Sequence, residues 1–158
     1  MAFPSQFTND PQKAAGGELY GNNHIILSAE KDKWLTGLNG GRFAISKAGI
    51  VQNADGTATP TIAGIVRRNP AGAVENDEAY TTDLASHVEY VREGVVSVYV
   101  KAGEVAPDLF GNVYMSNAGD ADDGLATSTG TDVLTQAEFV REETAGVWLV
   151  NISKPVNA

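Results

Sequence analysis

The sequence contains no cysteine, which excludes disulfides and thiolate metal sites. That absence fits a reducing compartment and a robust extracellular particle equally well. Histidine is scarce too. His24 and His87 are the only two, and neither has a second His or Cys at ligand spacing, so a zinc site has no support. Basic residues are few: 11 Lys and Arg stand against 20 Asp and Glu, for a net charge of -9. Arg67-Arg68 is the only adjacent basic pair. Nucleic-acid binding needs clustered cations to displace phosphate counterions, so this balance argues against it. No apolar run approaches the ~20 residues that span a bilayer, so no membrane helix is expected. The first residues lack both a basic start and an apolar stretch, so they do not read as a secretory signal. Synthesis in the cytoplasm, with use there or in something assembled there, is the expectation.

The common chemical motifs are missing as well. A Ser-His-Asp triad forms in space, but no Gly-x-Ser-x-Gly elbow points to one. Residues 37–42 are glycine-rich yet lack the Gly-Lys-Ser/Thr ending of a phosphate loop, and read as a turn into a strand. Asp120, Asp122, Asp123 and Gly124 form the sharpest charge cluster. Three carboxylates so close suggest oxygen ligation of calcium. However, Thr131 occupies the place of the distal Glu of an EF-hand loop, and Asp with Gly also makes a solvated loop tip.

What the chain does contain is β-strand cadence. Short β-branched and aromatic runs alternate with Gly-, Asp-, Asn- and Thr-rich connectors. One domain is the default for 158 residues. Strands are expected at residues 42–46, 61–66 and 112–115. The Asn53-Ala54-Asp55-Gly56 segment is a turn signal. Residues 87–92 and 95–100 read as a hairpin turned at Glu93-Gly94, and residues 137–141 and 146–152 as another. In the last run Trp148, Val150 and Ile152 share one face, and Val147 and Leu149 the other. Apolar residues on both faces imply a central strand, or a strand with one face in the core and one on a partner. Residues 75–85 read as a loop or one helical turn. The fold class expected is all-β, a sandwich or barrel of short antiparallel strands.

Residues 1–39 differ from the rest. They are polar, with Pro4 and Pro11 opposing regular structure, and hold one apolar cluster, Ile25-Ile26-Leu27. They read as an extended arm with one short strand ahead of a β domain at 40–158. The arm is either a floppy terminus or a segment that orders on a partner. Trp34 and Leu35 lie in a polar stretch with little local core. Trp34, Leu35, Ile25 and Ile26 are therefore the candidate partner contacts, since aromatics anchor interfaces. The other aromatics, Phe110 among them, read mainly as core.

These runs resemble those of the cement, or head-decoration, proteins of tailed bacteriophages. The likeness lies in Gly94-Val95-Val96-Ser97-Val98-Tyr99-Val100 with Gly103-Glu104-Val105-Ala106. It continues through the Gly-Asp loop at 119–124 and ends in the runs at 137–140 and 145–152. The resemblance implies a jelly-roll-like β fold with no catalytic residues and no cofactor. It implies a homodimer or homotrimer on the virion, on the capsid exterior, bound to the major capsid protein at joints between its subunits. An arm at 1–39 suits that role and is longer than smaller members carry. The alternative from another class is a phage tail- or fibre-associated β module that binds host glycan, and a small β-fold hydrolase is the third.

Overall fold

The computed structural model describes residues 16–30, 38–67, 87–104 and 107–153. They form an all-β, jelly-roll-like fold in which one curled antiparallel sheet wraps its own core. In chain order its strands are β1 (Leu19–Glu30), β2 (Phe43–Lys47), β3 (Ile50–Asn53), β4 (Thr61–Val66), β5 (His87–Tyr99), β6 (Asn112–Met115), β7 (Ala126–Thr127), β8 (Val133–Thr144) and β9 (Val147–Ile152). Along the sheet the order is β3-β2-β4-β5-β9-β8-β6-β7, with β1 paired to β5 off that path.

Alternation explains the strands. In β8, Thr135, Ala137 and Phe139 are buried while Leu134, Gln136 and Glu138 face solvent, the period of two that a half-buried strand requires. In β9, Trp148, Val150 and Ile152 enter the main core, and Val147 and Leu149 are buried on the opposite face. β9 lies between β5 and β8, so it is the central strand that two apolar faces imply. The main core gathers Phe43, Ile62, Val96, Met115, Phe139 and their neighbours. A smaller cluster of Leu38, Ala44, Val51, Ala63 and Val66 uses the other face of β2 and β4, with Tyr90 packed on it.

β5 organises the whole. Val91 pairs with Ile26 of β1 and Ile65 of β4, whereas Val96 pairs with Leu19 of β1 and Val150 of β9. A strand has two hydrogen-bonding edges. At both positions β1 holds one of them, and the other passes from β4 to β9. The sheet then curls back on itself. Phe43 N donates to Gly124 O at 2.8 Å, Lys101 N donates to Ala126 O at 2.9 Å, and Val100 bridges Ala126 in parallel.

The structure corrects the first expected hairpin. Residues 87–99 are one continuous strand, and the chain does not reverse at Glu93-Gly94. A two-residue hairpin turn needs positive φ at its first central residue. Glu93 is not among the residues with positive φ; Gly94 is, at 117°. The glycine lies instead at a bulge, where the pairing with β1 shifts between Tyr20↔Val95 and Ile25↔Glu93. The second hairpin forms as expected, turning through Ala145 and Gly146. β4 and β6 take the expected bounds, and β2 is shifted by one residue.

Two strands were not foreseen, β3 and the two-residue β7. The strand expected near residues 25–27 runs twelve residues, from Leu19 to Glu30, so part of the first 39 residues is hydrogen-bonded into the sheet. The loop or helical turn expected at 75–85 lies outside the described residues.

Candidate functional site

The candidate contacts separate by strand face. β1 carries Ile25 and Leu27 outward, 47% and 42% exposed, while Ile26 between them packs against the main core. Tyr90, opposite Leu27 on β5, is half-buried, so this outward pair flanks the smaller apolar cluster. Trp34 and Leu35 lie outside the described residues.

Trp148 is core. Its ring meets Phe139 edge to face, with centroids 5.7 Å apart and planes at 77°. Phe110 is not core. It is 69% exposed, beside Leu109 at 59%. Both sit in a turn closed by Gly111 N donating to Asp108 O at 2.9 Å. The turn is pinned to β8 by two backbone hydrogen bonds, Phe110 N to Phe139 O at 2.7 Å and Phe139 N to Gly111 O at 3.0 Å. Phe110 holds φ at 62°, in the left-handed region. Sequence reasoning passed over this tip, because Leu-Phe-Gly reads as an apolar run at a break. The pinning hydrogen bonds come from a strand 29 residues away in Phe139, which no local pattern reports.

The acidic loop at 120–124 is built from its own hydrogen bonds. Gly119 N donates to both carboxylate oxygens of Asp123, at 3.0 and 3.1 Å, and Asp122 N donates to Asp120 Oδ1 at 2.9 Å. Arg42 reaches across from the start of β2, donating from Nη1 to Ala121 O at 2.7 Å and Asp123 O at 3.1 Å. Burial lowers the Arg42 pKa, and the nearby Asp122 and Asp123 oppose that shift. The carboxylates thus shape the loop and balance the cation that ties it to β2. Among the described residues, no three His, Asp or Glu side chains come together as a metal-holding group.

A second tie joins the same loop region to the β3–β4 connector. Gly56 N donates to Asn117 Oδ1 at 2.8 Å, and Asn117 Nδ2 donates to Thr57 O at 2.8 Å. Asp55 organises this connector. It accepts from the Thr57 hydroxyl and amide, from Gln52 Nε2 at 3.0 Å and from Lys47 Nζ at 3.0 Å. The Thr57 hydroxyl, with Lys47 helping, holds the Asp55 carboxyl at about 2. On β1, burial, then Glu143 and Glu18, raise the Tyr20 pKa.

His24 lies on β1 and His87 on β5. His24 Nε2 lies 2.8 Å from the Val95 carbonyl, which only accepts, so this ring braces β1 on β5. The His87 backbone pairs with Glu30 on the same ladder. Arg67 Nη1 pairs with Glu89 Oε2 at 2.6 Å. Arg68 lies outside the described residues.

Among the described residues, the large apolar side chains turned outward are the Ile25 and Leu27 pair, the Leu109-Phe110 tip and Leu134. Such features suit contact with a protein surface. A family model described as structural cement protein (E217 gp24/Pam3 gp6) matches residues 3–154. A chain from the structure titled "The capsid of Myoviridae Phage XM1" is 29% identical and superposes with a TM-score of 0.80. That alignment covers 99% of this chain and 100% of the XM1 chain. No curated protein matches the sequence. A family match of that extent settles membership: the chain belongs to the phage structural cement protein family.

Proposed function

We propose that this protein binds the outer surface of a phage capsid, as a homodimer or homotrimer, and stabilises contacts between major capsid protein subunits. The observation that carries the reading is the end-to-end match, in family sequence over residues 3–154 and in fold with a chain of the XM1 capsid. The family is structural, and the reading assigns this chain no catalytic residue and no cofactor. It places the protein on the virion exterior after synthesis in the host cytoplasm. With a net charge of -9, its partner is a protein surface and not nucleic acid.

The physics needs no chemistry beyond contact. A ligand that binds the assembled shell and not free subunits stabilises the shell by mass action. Linked copies add avidity, since each further contact becomes intramolecular. Residues 1–39 serve as an arm toward a neighbour, with Trp34, Leu35 and Ile25 as contacts and Ile26 bracing the strand from within.

The test is light scattering with gel filtration, then cosedimentation with empty shells. A discrete oligomer that pellets only with shells supports the reading, and its mass separates dimer from trimer. A monomer that stays in the supernatant overturns it. Trp34→Ala is expected to weaken assembly at unchanged thermal stability. Unchanged assembly with a lowered melting temperature would make Trp34 a core residue instead.

A further inference from the structure

We infer that the turn at residues 108–111 is a plug that inserts into an apolar hollow on the major capsid protein, with Phe110 and Leu109 as its anchors. The inference rests on the capsid-binding reading above and names one of its contact sites.

The argument starts from the backbone. Gly111 N donates to Asp108 O, so residues 108–111 close a four-residue turn. Phe110 is the third residue and has φ at 62°, while Leu109 is not among the residues with positive φ. Positive φ at the third position alone is the pattern of a type II turn, which favours Gly or Asn there. This chain places Phe at that position and its glycine one residue later. A bulky residue with positive φ is an outlier. The conformation persists because two hydrogen bonds to the Phe139 backbone, at 2.7 and 3.0 Å, impose it.

The ring gives the fold little in return. Phe110 is 69% exposed and Leu109 is 59% exposed. The position therefore holds a side chain that opposes its own backbone, packs poorly and burdens solubility. Local rules are broken in this way where a site needs the residue for something else. A large apolar side chain on a pinned turn is a preorganised anchor, and aromatic anchors dominate interface energetics.

Charge selects the partner. Asp108 within the turn is exposed, and so is Glu138, next to the Phe139 that pins it. The whole chain carries -9. A second copy would bring the same acids to the same place. The complementary surface is an apolar hollow with a basic rim, supplied by the shell.

The experiment uses the full chain and empty shells. Phe110→Gly removes the ring and supplies the residue the turn prefers. The expected result is an equal or higher melting temperature, an unchanged oligomer mass, and affinity for shells weakened about thirty-fold, as on loss of a strong aromatic anchor. Should Phe110→Gly lower the melting temperature, Phe110→Asn carries the same reading, because Asn also tolerates this backbone. If wild-type protein ignores shells, the capsid-binding reading itself fails. If wild type binds and the variant binds equally, the plug is wrong while that reading stands. A changed oligomer mass would make the tip a contact between copies and would equally overturn the plug.

Discussion

Trp148→Ala tests whether the core sits where the fold places it. Trp148 lies on β9, 7% exposed, with its ring edge-on to Phe139 of the neighbouring β8 at 5.7 Å. The two are diagonal neighbours on one sheet face, since Phe139 stands opposite Val150. Truncating a buried Trp to Ala removes its transfer energy and leaves a cavity, together about 3–5 kcal/mol. Domains of this kind have roughly 5–15 kcal/mol in all. The substitution therefore removes a large share of stability. At about 2–4 °C per kcal/mol, the melting temperature should fall by roughly 6–20 °C, read by circular dichroism or calorimetry. The edge-to-face contact is separable from burial. A double-mutant cycle of Trp148→Leu and Phe139→Leu should show coupling of about 0.5–1.5 kcal/mol. A fall of less than about 3 °C for Trp148→Ala, or additivity in the cycle, would refute the packing argument. The same variant also bears on function. Under the proposed reading its contact surface is intact, so saturating shells should raise its melting temperature as they raise the wild type's.

Two further perturbations probe the sheet and its ties. At Gly64, where φ is 152°, a Cβ would lie 2.3 Å from the Val91 carbonyl oxygen, so Gly64→Ala must push β4 off β5. The loss expected is about 1–3 kcal/mol, as for overpacking elsewhere, and a melting temperature within a degree of wild type would refute the close approach. Asp55 titrates at about 2 in the fold against an ordinary 3.8, a depressed value. Its contribution is therefore present above pH 3.8 and lost as pH falls through about 2. With its side chain 33% exposed, solvent screening holds that contribution under about 1 kcal/mol. Asp55→Asn should flatten this part of the acid-unfolding profile, and a profile identical to wild type would remove Asp55 from the account.

Strand content was legible because it is a local property. The two-sided apolar run at 147–152 states that both its faces are covered, and the structure agrees, whereas its partner, expected over 137–141, runs from Val133 to Thr144. Failures occurred where a glycine has more than one use. Gly94 reads as a hairpin turn from its neighbours alone, but its part in the bulge is set by β1, some 70 residues away. β3 escaped notice because its turn, Ala48 at φ 52° and Gly49 at 79°, puts Ala where Asn or Gly is usual. β7 has only two residues and exists because Tyr114, Met115 and Val100 pair with it. The proposed contact surface was the least legible part. Phe110 looks like any apolar residue beside a glycine until the pinning by Phe139 turns it outward.

The ties at the mouth of the sheet and the proposed plug bear on the same physical problem. Association loses free energy wherever it must order a loop or a side chain. Arg42 on the Ala121 and Asp123 carbonyls, and Asn117 on Gly56 and Thr57, fix two long connectors before any partner arrives. The 108–111 turn is fixed in the same manner by Phe139, except that here the fixing works against the residue it holds. A protein selected for its own stability alone would carry glycine at position 110. Under the capsid-binding proposal phenylalanine makes sense there, because the relevant stability is then that of the shell, where each copy would contribute its anchor and a symmetric lattice would multiply it. On that logic Phe110→Gly should separate the two stabilities, making the free protein no weaker and the decorated shell weaker.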